Sequence, residues 1–127
     1  MSEEKNFESL ALRSELIEGL AALEYREMTV IQQASLPPIL EGRDVVGRAK
    51  TGSGKTAAFA LGALNSVDTT NLETQTLVLC PTRELADQVT DEIRRLAKRI
   101  ANVRVLALCG GMPNRPQVKS LAVSYTH

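Results

Sequence analysis

The residues with the clearest chemical pattern form the stretch AKTGSGKT, residues 49–56. Gly52 and Gly54 allow the backbone to curl so that several N–H groups point inward at once. Lys55 can reach the β- and γ-phosphates of a triphosphate, and Thr56 can offer its hydroxyl to Mg²⁺; these two are the candidate catalytic residues. The spacing predicts a nucleotide-binding loop made of Ala49, Lys50, Thr51, Gly52, Ser53, Gly54, Lys55 and Thr56.

A second candidate lies upstream, in EYREMTVIQ, residues 24–32. Thr29 and Gln32 have the spacing of a capping box for a helix that starts after Thr29. The Gln32 carboxamide also has one donor group and one acceptor group, which suit the edge of adenine at N6 and N7. The residues alone favour the capping interpretation and leave the adenine interpretation open.

A third candidate is PTRELADQV, residues 81–89, which directly follows the apolar run TLVLC. Thr82 suits the N-cap of a long helix, and Arg83 beside a helix N-terminus can also seat a phosphate. Open α/β sheets bind ligands at the carboxyl ends of their strands. We therefore expect this stretch, the triphosphate loop and the CGG at residues 109–111 to converge on one face.

Alternation of apolar runs and amphipathic segments indicates the elements that position these candidates. Continuous apolar strands separated by helices predict a three-layer α-β-α fold with a parallel sheet. The expected helices are 9–23, one after Thr29 that bends or restarts at Pro37 and Pro38, 55–65 and 83–100; the expected strands are 45–49, 76–80 and 103–109.

Composition places the chain among ordinary globular proteins. Its 127 residues are 43% hydrophobic and 24% charged, which suits one domain. A net charge of zero gives no overall field for nucleic acid, and 3% aromatic residues argue against a stacking platform for single strands. We expect no signal peptide and no membrane span. Cys80 and Cys109 match no metal spacing, so we expect reduced thiols in a cytoplasmic protein.

Together these motifs resemble the first RecA-like domain of a DEAD-box RNA helicase. AKTGSGKT, the T-x-x-Q of residues 29–32, PTRELA at 81–86 and GG at 110–111 carry the resemblance, which covers residues 7–121. LVLCPTRELADQV followed by LCGG is similar to bacterial DbpA-type members, which implies structured or ribosomal RNA as partner. The resemblance implies ATP and Mg²⁺ as cofactors, and ATP hydrolysis coupled to local RNA unwinding in the intact parent.

The resemblance also implies roles for individual residues. Thr29 and Gln32 fall in the Q motif, which recognises adenine, and Phe7 is an upstream aromatic linked to the adenine site. The family usually opens this motif with glycine and an aromatic and has prolines where Met28 and Val30 stand; here Glu24 precedes Tyr25, which bears on the local turn more than on the Gln32 contact. The residues implied to contact the RNA backbone are Pro81, Thr82, Arg83, Glu84, Gly110 and Gly111.

Basic residues cluster on the long predicted helix: Arg94, Arg95, Lys98 and Arg99, followed by Arg104. A solvated outer face explains them better than an RNA track, because the outer face of a covering helix points away from the strand ends. We therefore do not expect them to bind RNA.

The 127 residues contain no D-E-A-D, no S-A-T and no second RecA-like domain. We therefore expect residues 1–127 to be a partial first domain that binds ATP but hydrolyses it negligibly by itself. The expected strand 45–49 would also lack neighbours, which predicts a marginal or aggregation-prone fold. Two alternatives stay open: a non-catalytic ATP- or RNA-binding module, and a DNA-directed helicase of the same superfamily.

Overall fold

The structure of the chain, a computed structural model, describes residues 5–110. A short 3-10 helix at Phe7–Ser9 precedes four α-helices: α1 (Ser14–Ala22), α2 (Val30–Leu40), α3 (Lys55–Ser66) and α4 (Arg83–Leu96). The prediction of α3 is confirmed to within one residue. Helix α1 starts five residues later than predicted, because the separate turn at Phe7–Ser9 ends in extended backbone at Leu10. Within residues 5–110, no helix has the length and apolar character that a membrane span requires.

Helix α2 corrects one prediction, because it runs through Pro37 and Pro38 without a break. Proline holds φ near −65°, which is a helical value, so the prolines remove N–H donors without forcing the backbone out of the helix. Their carbonyls accept the N–H groups of Glu41 and Arg43 beyond the helix end. Gly42, with a φ of 80°, completes this Schellman-type ending.

The core lies between the helices. Helix α3 packs against α2, α4 and α1, and α1 also packs against α4. A side chain at Gly62 of α3 would collide with Ile39 of α2, so this glycine permits the close approach of the two helices. The five largest fully buried side chains are Leu16, Leu20, Leu36, Leu61 and Leu96.

The predicted sheet is not confirmed. The segments 45–49, 76–80 and 103–109 belong to no helix or turn, and residues 5–110 contain no β-strand. Val46 is 100% exposed, Leu77 79% and Leu79 84%, so neither a helix nor a neighbouring strand covers these side chains. A parallel strand needs evenly spaced hydrogen bonds to neighbours and cover on both faces, and the described residues supply neither to these segments.

Helix α4 ends four residues earlier than predicted, at Leu96, and the chain continues in turns to Ile100. Val89 and Leu96 of α4 are buried, as is Ile100 beyond its end, whereas Leu85 is 38% exposed. A cavity of about 440 Å³ lies between α4, the end of α3 and the segments 71–78 and 102–106. Packing is therefore tight between α3 and α2 and incomplete beside the end of α3, where the sheet was expected.

Candidate functional site

The triphosphate loop, residues 49–54, leads directly into the N-terminus of α3. Gly52 has a φ of 80° and Gly54, the N-cap, a φ of 92°; both values lie in the left-handed region that disfavours side chains. Between them, the N–H and the hydroxyl of Ser53 both donate to the carbonyl of Lys50. The loop therefore curls tightly before a helix N-terminus, which is the geometry that a phosphate group needs.

Gly54 is also where the loop meets the upstream TxxQ motif. A Cβ atom built at Gly54 would lie 2.5 Å from Gln32 Nε2 and 2.9 Å from Thr29 Oγ1. Such distances are too short for any side chain, so only glycine allows this approach. The structure thus brings Thr29 and Gln32 against the triphosphate loop.

The Gln32 side chain is buried and makes two hydrogen bonds of different kinds. Its Oε1 accepts from the Thr29 N–H at 2.9 Å, and Thr29 Oγ1 accepts from the Gln32 N–H at 3.5 Å, so the predicted capping box is confirmed. Its Nε2 donates to the carbonyl of Gly54 at 3.1 Å. The capping interpretation and the placement beside the nucleotide loop are therefore compatible, and adenine contact stays a prediction.

Lys55 and Thr56 occupy the first two positions of α3, and both are half-buried. The Lys55 ammonium donates to the carbonyl of Ala49, so its side chain reaches back to the start of the loop. In the described part of the chain, no group of three or more His, Cys, Asp or Glu residues could hold a metal ion. The Thr56 hydroxyl fits a Mg²⁺ ion that takes its other ligands from phosphates and water.

The far end of α3 is held by the segment before α1. The Arg13 guanidinium donates to the carbonyls of Leu64 and Val67, and the Arg13 N–H donates to Asn65 Oδ1 at 2.8 Å. The Asn65 amide in turn donates to the carbonyl of Ala11. A cation at a helix C-terminus interacts favourably with the helix dipole, so these contacts fix the helix that carries Lys55 and Thr56.

Phe7 is only 4% exposed and belongs to the main apolar core. The nearby carbonyl of Lys5 accepts the N–H of Met28 at 2.7 Å, which ties this N-terminal segment to the turn before α2. Phe7 therefore packs in the core, two residues after the Lys5 carbonyl that bonds to Met28. Its link to the adenine site stays a prediction.

Most of the residues predicted to contact the RNA backbone lie around the start of α4. Thr82 accepts the N–H of Leu85 at 3.1 Å, which confirms it as the N-cap. Arg83 Nη2 donates to the carbonyl of Gly110 at 2.7 Å, so the two predicted strand ends do meet. Pro81 and Glu84 are exposed beside them. Gly111 lies outside the described residues.

Two of the basic residues on α4 take part in defined contacts that the sequence did not predict. Arg94 donates two hydrogen bonds to the carbonyl of Val105, at 3.2 and 2.7 Å. Arg95 pairs with Glu92. Arg94, Arg95, Lys98 and Arg99 are nevertheless all exposed, as a solvated outer face requires.

Like the contacts of Arg13 with the end of α3, a hydrogen bond between Tyr25 and Glu92 was not predicted from the sequence. The Tyr25 hydroxyl donates to Glu92 Oε1 at 3.0 Å, across 67 positions in the chain. Burial, reinforced by the Glu92 carboxylate, raises the pKa of Tyr25 above its usual value, so the hydroxyl keeps its proton. No local pattern signals such a pair, because the two residues lie in different elements and neither belongs to a spacing rule.

Comparisons with known proteins agree with this geometry. The family model described as DEAD/DEAH box helicase matches residues 29–127. ATP-dependent RNA helicase DbpA of Escherichia coli (strain K12) is 57% identical over 103 residues, which cover 81% of this chain and 22% of that protein. The chain thus spans about a fifth of the length of this relative.

Two solved structures show the same fold. The RNA-helicase Prp28 from Chaetomium thermophilum, bound to ADP, aligns with a TM-score of 0.79 and 37% identity, over 91% of this chain and 29% of that one. Dbp5 of S. cerevisiae, bound to RNA and ADP BeF3, aligns with a TM-score of 0.67 and 33% identity, over 75% of this chain and 25% of that one. With the nucleotide loop and the capped Gln32 in place, the chain belongs to the DEAD/DEAH box helicase family.

Proposed function

We propose that this chain is the ATP-binding segment of an ATP-dependent RNA helicase. The observation that carries the proposal is the contact of Gln32 with Gly54, which puts a carboxamide beside the triphosphate loop. A loop that accepts phosphates would serve many kinds of nucleotide enzyme. A buried carboxamide held against that loop adds a means of choosing the base.

The hydrogen-bonding capacity of Gln32 supports adenine as that base. A carboxamide has two N–H donors and two acceptor lone pairs. Among residues 5–110, one donor is used by the Gly54 carbonyl and one lone pair by the Thr29 N–H. One donor and one acceptor remain, which is the pair that the N6 and N7 edge of adenine requires.

The phosphates and the metal ion fit the remaining loop residues. In our proposal the backbone of Gly52, Ser53 and Gly54 receives the phosphates, and Lys55 exchanges its bond with the Ala49 carbonyl for the terminal phosphates. Thr56 ligates Mg²⁺, which when bound neutralises part of the phosphate charge. Lys55 and Thr56 remain the proposed catalytic residues.

RNA is the proposed polymer, and Pro81, Thr82, Arg83, Glu84, Gly110 and Gly111 its proposed contacts. The structure of Dbp5 with RNA supports RNA over DNA for this fold. The meeting of Arg83 with Gly110 supports a single contact face. Ribosomal RNA as target, a second RecA-like domain, the parallel sheet in the complete domain and a cytoplasmic location all stay part of the proposal.

The test measures binding of ATP, GTP and inorganic tripolyphosphate to the 127-residue chain by calorimetry. We expect ATP to bind more tightly than GTP. Gln32→Ala should weaken ATP by about 1–3 kcal/mol, the scale of one bidentate base contact, and leave tripolyphosphate nearly unchanged. Lys55→Ala should weaken the binding of all three ligands, because it removes the cation that reaches the phosphates.

Gln88→Ala is the matched control, since it removes an exposed carboxamide from α4. It should leave all three affinities unchanged. Equal affinity for ATP and GTP in the unmutated chain would remove the adenine-reading role of Gln32. We also expect negligible ATP turnover with or without RNA, because no D-E-A-D occurs in the sequence.

A further inference from the structure

The turn between α1 and α2 is anchored at both of its ends. At its start, the N–H of Tyr25 donates to the carbonyl of Leu20 at 2.9 Å. At its end, the N–H of Met28 donates to Lys5, and the Met28 carbonyl accepts from Gln33 Nε2 at 3.0 Å. The next residue is Thr29, the cap of α2, so any shift of this turn moves the base of the capping box.

Tyr25 also fixes the turn against a different part of the molecule. Its phenol hydroxyl donates to Glu92 of α4 at 3.0 Å, and its ring packs against the apolar core. The Glu92 side chain is only 14% exposed, and its other oxygen pairs with Arg95. Glu92 is thereby held in one orientation, so it is a defined acceptor for the hydroxyl.

We propose that Tyr25 and Glu92 are positioning residues for adenine recognition. Their hydrogen bond holds the turn in register with α4, and the turn holds Thr29 so that Gln32 can both cap α2 and contact Gly54. Tyr25 and Glu92 act through Gln32 and are not placed against the nucleotide. This role rests on the proposed function of Gln32 as the residue that reads adenine.

A shift of the turn should affect the choice of base more than the binding of phosphates. Gln32 Oε1 and Nε2 are each committed to one partner, Thr29 and Gly54. If the turn moves, the carboxamide cannot keep both partners, so its remaining donor and acceptor lose their orientation. The phosphate-binding backbone of the loop has two further supports that do not involve Gln32, its own turn at Ser53 and the contacts of Arg13 with the end of α3.

The experiment uses Tyr25→Phe, which keeps the ring and removes only the hydroxyl. We expect the preference for ATP over GTP to fall about fivefold, the size of coupling typical within one hydrogen-bond network, while tripolyphosphate affinity changes less than about twofold. Glu92→Ala should have the same effect. Glu92→Gln, which retains an acceptor oxygen, should keep the preference. The double variant Tyr25→Phe with Glu92→Ala should be no worse than either single variant.

Each outcome decides the matter. The proposal is overturned if Tyr25→Phe and Glu92→Ala both keep the full preference for ATP. It is also overturned if the affinity for tripolyphosphate falls as much as the affinity for ATP, because that result indicates a general structural effect. If the unmutated chain shows no preference and Gln32→Ala changes nothing, the proposed adenine role itself has failed. A preference that depends on Gln32 but not on Tyr25 overturns only the positioning role.

Discussion

Two regions of the chain differ in their hydrogen bonding and in the burial of their apolar side chains. In the nucleotide region, the capping box of α2 is closed, Gln32 bonds to the Gly54 carbonyl, and Leu61 and Leu64 of α3 are buried. In residues 76–80, by contrast, two of the five side chains are apolar and more than 75% exposed. The same short chain therefore contains a packed candidate nucleotide loop and, in residues 76–80, exposed apolar side chains where a strand was expected.

The difference lies in the range of the interactions that each region needs. The nucleotide site depends on contacts between neighbouring elements, such as Gln32 with Gly54, which lie 22 positions apart. Helix caps and glycine turns form from local residues. A parallel sheet instead needs partners that are distant in sequence, and loop closure must be offset before such pairing stabilises anything.

The sharpest test of this difference is the same substitution made in both regions. Leu61→Ala, at a site with 0% exposure, should lower the free energy of unfolding by about 2–5 kcal/mol, because it removes core contacts and leaves a cavity. Leu79→Ala, at a site that is 84% exposed, should change it by less than about 0.5 kcal/mol. Urea unfolding of the two variants measures both values.

The Leu79 variant is the informative member of the pair. A loss above about 2 kcal/mol would mean that Leu79 is buried in solution and that the sheet forms. In that case the contrast between the two regions disappears. If Leu61→Ala left the free energy of unfolding unchanged, Leu61 would not lie in a packed core.

A second pair of variants tests the junction between the loop and Gln32. Gly54→Ala should cost at least about 2 kcal/mol, because it adds left-handed strain and a collision with the Gln32 carboxamide. Gly52→Ala has similar strain at a φ of 80° but open space around its Cβ, so it should cost only about 1 kcal/mol. Thermal unfolding measures both, and the difference between them reports the collision.

ATP titration of the same two variants sharpens the result. Gly54→Ala should lower both the preference for ATP over GTP and the free energy of unfolding, because it displaces Gln32. Gly52→Ala should retain the preference. Equal losses for the two variants would show that Gln32 does not press against Gly54 in solution.

Much of the site could be predicted because its signals are local. Thr29 as cap, Thr82 as cap and the start of α3 at Lys55 each follow from a spacing of a few residues. The contact of Arg83 with Gly110 followed from the rule that strand ends converge, even though the strands themselves are not formed.

The rest could not be predicted because it depends on tertiary context. Proline propensity predicted a break in α2, but the helix continues through Pro37 and Pro38, whose carbonyls accept the N–H groups of Glu41 and Arg43 at the helix end. The bond from Tyr25 to Glu92 joins residues that share no motif. Apolar runs predicted three strands that residues 5–110 do not form, because pairing and burial depend on neighbours that a run of residues does not reveal.

The smallest expected effect concerns the turn that leads into the site. Helix α1 ends in a Schellman motif in which Glu24 has a φ of 62°, with Tyr25 N–H bonded to Leu20 and Glu24 N–H bonded to Ala21. Glycine is preferred at this position because a Cβ strains the left-handed conformation. Glu24→Gly should therefore stabilise the chain by about 1 kcal/mol, which thermal unfolding detects as a rise of several degrees in Tm.

Helix α2 offers the reciprocal variant, because Gly42 holds the same position in the same motif with a φ of 80° and no atom within 4 Å of its Cβ position. Gly42→Ala should destabilise by about 1 kcal/mol through strain alone. Opposite signs for the two variants mean that both turns have the backbone described here. A lower Tm for Glu24→Gly would show that the turn beside Tyr25 is not left-handed at Glu24, and the anchoring of Thr29 and Gln32 would then need another origin.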